Sequence, residues 1–148
     1  MPAHAVPYCP FVPGLPAVDA ARVFYETARQ RRSIRDFSSK PVDLETIRWI
    51  IRAAGSAPSG ANKQPWRFVA IANPAVKREI RVAAEAEERE FYARRANPAW
   101  LTDLQTIGTN ANKPFLEEAP WLIAVFKLVT SDDGSQVYYN NESVGIAV

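Results

Sequence analysis

Arg31, Ser33 and Arg35 alternate along the chain, so an extended backbone points all three the same way, the outer two roughly 13 Å apart. That reach suits a ligand with a phosphate at one end and an electron-poor ring at the other. Arg31 and Ser33 offer donors to phosphate oxygens, and Arg35 offers a cation to a charged ring edge. A solvated basic corner at a helix end has the same composition. A second set lies further on. Glu88 and Tyr92 are four apart in a helical pattern and share a face, where an acid and a phenol can grip an ammonium and a polar neighbour. Lys113 adds a point charge for a carboxylate if the chain folds back. An exposed helical face with scattered charges reads alike. The third set is the stretch Ala57-Pro58-Ser59-Gly60-Ala61-Asn62-Lys63-Gln64-Pro65-Trp66. Gly60 tolerates close backbone approach, and Asn62 and Gln64 supply donors and acceptors beside an indole face. Such a loop can hold a planar heteroaromatic with a polar rim, or simply connect two elements.

Other chemistries are excluded by what is missing. His4 is the sole imidazole and stands in a proline-rich start, so no serine–histidine or cysteine–histidine arrangement and no credible metal set exists. Cys9 alone forms no internal disulfide. The 18 basic and 16 acidic side chains nearly balance at +2, unlike a nucleic-acid footprint. Neither a signal peptide nor an apolar run long enough for a bilayer is legible, so the expectation is a soluble cytoplasmic protein without a membrane partner.

At 148 residues and 47% hydrophobic, the chain suits one globular domain. Residues 1–18, with five prolines, read as an irregular arm, and 19–148 as domain. Asp19 is a plausible cap for a helix ending near Gln30, with Ala21, Phe24, Tyr25 and Ala28 on one face. Asp43 caps a second helix that closes at Gly55. Trp66 to Ala72 and Trp121 to Val129 read as buried strands. Asn73-Pro74 starts a helix running to about Arg95, with Glu85, Glu87, Glu88 and Glu90 on its outside. Short helices are expected between Ala99 and Glu118, a solvated loop over Thr130 to Ser135, and a helix from Val137. The chain stops in that helix without a cap, which suggests a longer parent.

Arg31-Arg32-Ser33-Ile34-Arg35, a helix, then Pro58-Ser59-Gly60-Ala61-Asn62-Lys63-Gln64-Pro65-Trp66 and a strand resemble the FMN-dependent nitroreductase superfamily. Within it, Glu88, Tyr92, Trp100-Leu101-Thr102-Asp103-Leu104 and Thr109-Asn110-Ala111-Asn112-Lys113 resemble the iodotyrosine deiodinase family. Tyr138 to Ala147 resembles the start of that family's central helix. The resemblance implies an α+β fold, a small central sheet flanked by helices, in a homodimer. It implies that Arg31, Arg32 and Ser33 bind the FMN phosphate and ribityl chain, and that Arg35 meets the flavin pyrimidine edge. Pro58, Ser59, Gly60 and Asn62 would line the isoalloxazine, with the Ala61 N–H facing a substrate phenolate as the catalytic contact. Glu88, Tyr92 and Lys113 would clamp a halotyrosine zwitterion.

The implied reaction is reductive dehalogenation of a halotyrosine, fed by NAD(P)H. A general nitroreductase or quinone reductase needs the flavin motifs but not the clamp. A non-catalytic flavin or amino-acid binding fragment is the third reading. The family's flavin N5 hydroxyl, a further phosphate-binding arginine and much of the dimer-forming part match no residue here.

Overall fold

The computed structural model describes residues 7–148. His4 and the first six residues of the arm lie outside the described residues. The chain divides into two compact units, Met1–Arg35 and Asp36–Val148. In the first, an irregular stretch leads into α1 (Ala17–Ala28), which starts two residues before Asp19. Pro16 takes the cap position, because its fixed φ suits a helix entry and its carbonyl accepts from Ala20 N–H at 2.9 Å. Asp19 caps nothing. It sits in the first turn and bonds Arg22 at 2.8 Å instead.

The second unit is α+β, as expected. Its helices are α2 (Leu44–Gly55), α3 (Pro74–Glu90), α4 (Pro98–Thr106), α5 (Phe115–Glu118) and α6 (Asn140–Ala147), with strands β1 (Trp66–Ile71) and β2 (Leu122–Lys127). Asp43 does precede α2, though its side chain makes no capping bond, and Gly55 is the last helical residue, followed by Ser56. Asn73 and Asn97 cap α3 and α4 as Asn-Pro pairs: each side chain accepts amide hydrogens two or three residues on, and the proline lacks the N–H that would be orphaned. Beyond Glu90 the helix widens into a π-turn, Phe91–Arg95, closed by Ala96 N–H to Phe91 C=O at 2.9 Å.

β1 and β2 pair antiparallel, Trp66 opposite Lys127 through Ile71 opposite Leu122. One face carries Phe68, Ile123 and Val125, which line a small apolar cavity of about 190 Å³ with Ile50, Ile51 and Ala54 of α2 and Ala147 of α6. On the other face Val69 and Phe126 remain 45% and 57% exposed. The strands are therefore half-buried, not buried. A mostly apolar run reports that both faces are greasy, but not that both are covered. The helix expected from Val137 starts at Asn140, because Tyr139 adopts a left-handed conformation (φ 51°) that no helix continues through.

Candidate functional site

Arg31, Arg32, Ser33 and Arg35 follow α1 within the first unit, all exposed and without regular secondary structure. Arg32 Nη1 donates to the carbonyls of Arg29 and Arg31 at 2.7 and 2.8 Å, gathering the basic run into a tight bend. Among the described residues of this unit no carboxylate pairs with Arg31, Arg32 or Arg35; the acids there are held by Arg22 and Arg29. Donors of this kind fit a phosphate.

The loop between α2 and β1 is held in a strained form. Ala61, Asn62 and Gln64 have φ of 50°, 53° and 47°, in the left-handed region where a Cβ is costly. Internal bonds hold it there. Asn62 N–H donates to Ser59 C=O at 2.9 Å and Lys63 N–H to Gly60 C=O at 3.1 Å. Gln64 N–H donates to Ser59 Oγ at 2.8 Å, and Lys63 Nζ to Ser135 Oγ at 2.7 Å. Gly60 presses on the start of α6: its N–H points at Ser143 Oγ at 3.4 Å, and a Cβ there would stand 2.8 Å from the Tyr138 carbonyl oxygen. Among the described residues the exposed Ala61 N–H has no hydrogen-bond acceptor.

The third group is assembled on α3. Lys113 is only 8% exposed, yet its ammonium lies 2.8 Å from Glu88 Oε2, an oxygen that is itself buried. At that distance the two form a close ion pair. Tyr92 follows in the π-turn. Its neighbour Phe91 packs edge-on against Trp100 of α4, ring centres 5.1 Å apart, which ties α4 to the π-turn.

Glu85, read from sequence as an outward acid, turns in. Its Oε1 accepts from Arg81 Nε at 2.7 Å and from Lys113 N–H at 2.8 Å. The Arg81 bond, then the Lys113 amide, holds its carboxyl below the ordinary glutamate range, and Glu85 raises the Arg81 guanidinium in turn. Arg81 and Ser143 join the site without being among the residues the sequence singles out. The four-residue spacing of Arg81 and Glu85 was the available signal for the first; the second has none, since its partner lies 83 residues away. Cavity size does not mark the site: a groove of about 610 Å³ beside Ile47, Ala119 and Trp121 contains none of the expected residues.

Residues 28–147 match the model of the nitroreductase family. The chain belongs to the nitroreductase family. Among its relatives, iodotyrosine deiodinase of Haliscomenobacter hydrossis is 49% identical over 84% of this chain and 58% of its own length. Iodotyrosine deiodinase of Drosophila melanogaster is 45% identical over 95% of this chain and 52% of its own. The crystal structure of oxidized iodotyrosine deiodinase bound to FMN and 3-iodo-L-tyrosine superposes with a TM-score of 0.73 at 33% identity, over 83% of this chain and 63% of that one. This nitroreductase-family chain thus spans about half the length of the curated relatives it matches. The α+β fold expectation and the family resemblance both hold.

Proposed function

We propose that this chain carries the flavin loop and substrate clamp of an FMN-dependent reductive dehalogenase acting on halogenated tyrosines. The paired Glu88 and Lys113 carry the reading. A buried carboxylate oxygen and a buried ammonium, 2.8 Å apart, match the two charges of an α-amino acid with opposite signs. A zwitterion entering between them puts its ammonium on Glu88 and its carboxylate on Lys113 and Tyr92, so each protein charge exchanges one partner for another. A general nitroreductase has no use for such a pair.

Arg31, Arg32 and Ser33 would hold the FMN phosphate and ribityl chain, Arg35 the pyrimidine edge, and Pro58, Ser59, Gly60 and Asn62 the ring face. FMN when bound supplies the electrons. The Ala61 N–H donates to the substrate's phenolate oxygen, fixing the ring orientation and stabilising charge on that oxygen. Closing of the clamp removes water and strengthens each of these contacts. In net terms an aryl–halide bond, two electrons and one proton become an aryl–hydrogen bond and halide. The family resemblance further supports NAD(P)H as the electron source, a homodimer as the working form and the cytoplasm as its place.

The test is a pair of substrates on the full-length, flavin-loaded protein. Lys113→Ala and Glu88→Gln should each weaken 3-iodo-L-tyrosine binding by roughly thirtyfold, about 2 kcal/mol, while nitroarene reduction persists. Equal loss of both activities would remove the clamp, and nitroarene turnover alone would leave a general nitroreductase. Stoichiometric iodide release removes the non-catalytic reading.

A further inference from the structure

Glu88 and Lys113 stand on different elements, and something must set the distance between them. Lys113 lies outside the helices, directly before Pro114 and α5, so its backbone N–H has no partner within secondary structure and needs one elsewhere. It donates to Glu85 Oε1 at 2.8 Å, and the same oxygen takes Arg81 Nε at 2.7 Å. Arg81 Nη2 also reaches Asn112 Oδ1 at 3.1 Å. Two successive residues, 112 and 113, are thereby tied to α3 one turn before Glu88. Glu85 and Glu88 are three apart and so are neighbours on the helix surface.

We propose that Arg81 and Glu85 are positioning residues: they hold the main chain of Lys113 against α3 so that its ammonium stands over Glu88, setting the spacing into which a zwitterionic amino acid fits. The inference rests on Glu88 and Lys113 being the ligand clamp. Lysine has a long flexible stem and loses rotamer freedom when it grips a ligand. Fixing its backbone beforehand lowers the ordering cost of binding. The remaining charges around the dyad keep it in place: Arg89 lies 3.8 Å from Glu85 Oε2, and Glu117 lies 3.6 Å from Arg81 Nη1. In this arrangement Arg81 and Glu85 act through the Lys113 main chain, so their removal should weaken binding of the amino-acid end only.

Two measurements test this on Glu85→Ala and on Glu85→Gln, which keeps an acceptor for the amide. In the unliganded protein, hydrogen exchange at the Lys113 amide should speed up at least about tenfold in Glu85→Ala and less in Glu85→Gln, with Val69 and Ala124 amides of the sheet unchanged. In the flavin-loaded protein, Glu85→Ala should weaken 3-iodo-L-tyrosine about tenfold and leave a halophenol lacking the amino-acid group unaffected. In a Lys113→Ala background, Glu85→Ala should add no further loss. If Glu85→Ala binds iodotyrosine normally while Lys113→Ala does not, the positioning role is refuted and the clamp stands. Equal weakening of both ligands, or faster exchange across the sheet, assigns Glu85 to general stability and also refutes it. If Lys113→Ala itself binds iodotyrosine normally, the clamp falls and this inference with it.

Discussion

Glu85 joins charge to backbone geometry, and its titration can be followed. Arg81 foremost, and the Lys113 amide after it, favour the ionised carboxylate, so the folded state binds its proton less readily than the unfolded chain. A depressed folded value means that the stabilisation is fully present above the unfolded value near 4.3 and is lost as pH falls through the lower folded value. The melting-temperature difference between the native protein and Glu85→Gln should therefore be largest near neutrality and shrink below about pH 4. A difference constant down to pH 2.5 would show that the carboxylate charge contributes nothing. Lys77 makes a second residue-scale case. It is 6% exposed and its ammonium donates to the carbonyls of Glu117 and Ala119 at 2.8 and 2.7 Å, tying the end of α5 to α3. Lys77→Met keeps the apolar stem but orphans both carbonyls, and should lower stability by about 1–3 kcal/mol in urea unfolding. The i,i+4 spacing of Arg81 and Glu85 signals their pairing, but nothing in the sequence signals the Lys113 amide on Glu85 or the two carbonyls on Lys77. Periodicity identifies which residues share a helix face, yet four acids between 85 and 90 look alike until one finds an arginine and a folded-back amide.

At the scale of elements, the loop between α2 and β1 was legible as a loop, because Pro58, Gly60 and Pro65 forbid a continuous helix or strand. Its backbone was not legible. Nothing about alanine, glutamine or tyrosine signals a positive φ, and Ala61, Gln64 and Tyr139 adopt one under tertiary constraint. The same constraint sets the start of α6: Val137 and Tyr138 carry helical spacing into a segment that Tyr139 then turns. Two neighbouring substitutions should consequently have opposite signs. Gly60→Ala introduces a Cβ 2.8 Å from Tyr138 O and 3.0 Å from the Tyr139 ring, and should cost about 1–3 kcal/mol as the loop is forced off α6. Ala61→Gly relieves a left-handed Cβ worth about 1–2 kcal/mol against a chain-entropy cost of about 0.5–1 kcal/mol, so it should leave stability unchanged or slightly raised. Denaturant midpoints on both variants decide it, and a destabilised Ala61→Gly would mean that the observed φ is not strained.

For the whole molecule, the open question is what covers the second face of the sheet. Among the described residues the sheet has two strands, and α2 and α6 cover one side while Val69 and Phe126 show on the other. Trp49, Ile50 and Ile146 of the same unit are also exposed. Isolated apolar side chains on a surface need no explanation, but this many large ones on one unit favour association. The expectation of buried strands came from the apolar runs, whereas the homodimer is implied by the family resemblance. Apolar runs specify how much surface must leave water, and they do not say whether it is covered from within the chain or by a second copy. Coverage by a second copy predicts that the weight-average mass of the 148-residue chain rises between about 1 and 100 µM in sedimentation equilibrium. Phe126→Glu should suppress that rise without lowering the denaturation midpoint, because the side chain is already half in water. A single-chain mass throughout the range would count against self-association through this face and place its covering elsewhere. A rise that Phe126→Glu leaves intact would move the contact to the Trp49 side of α2.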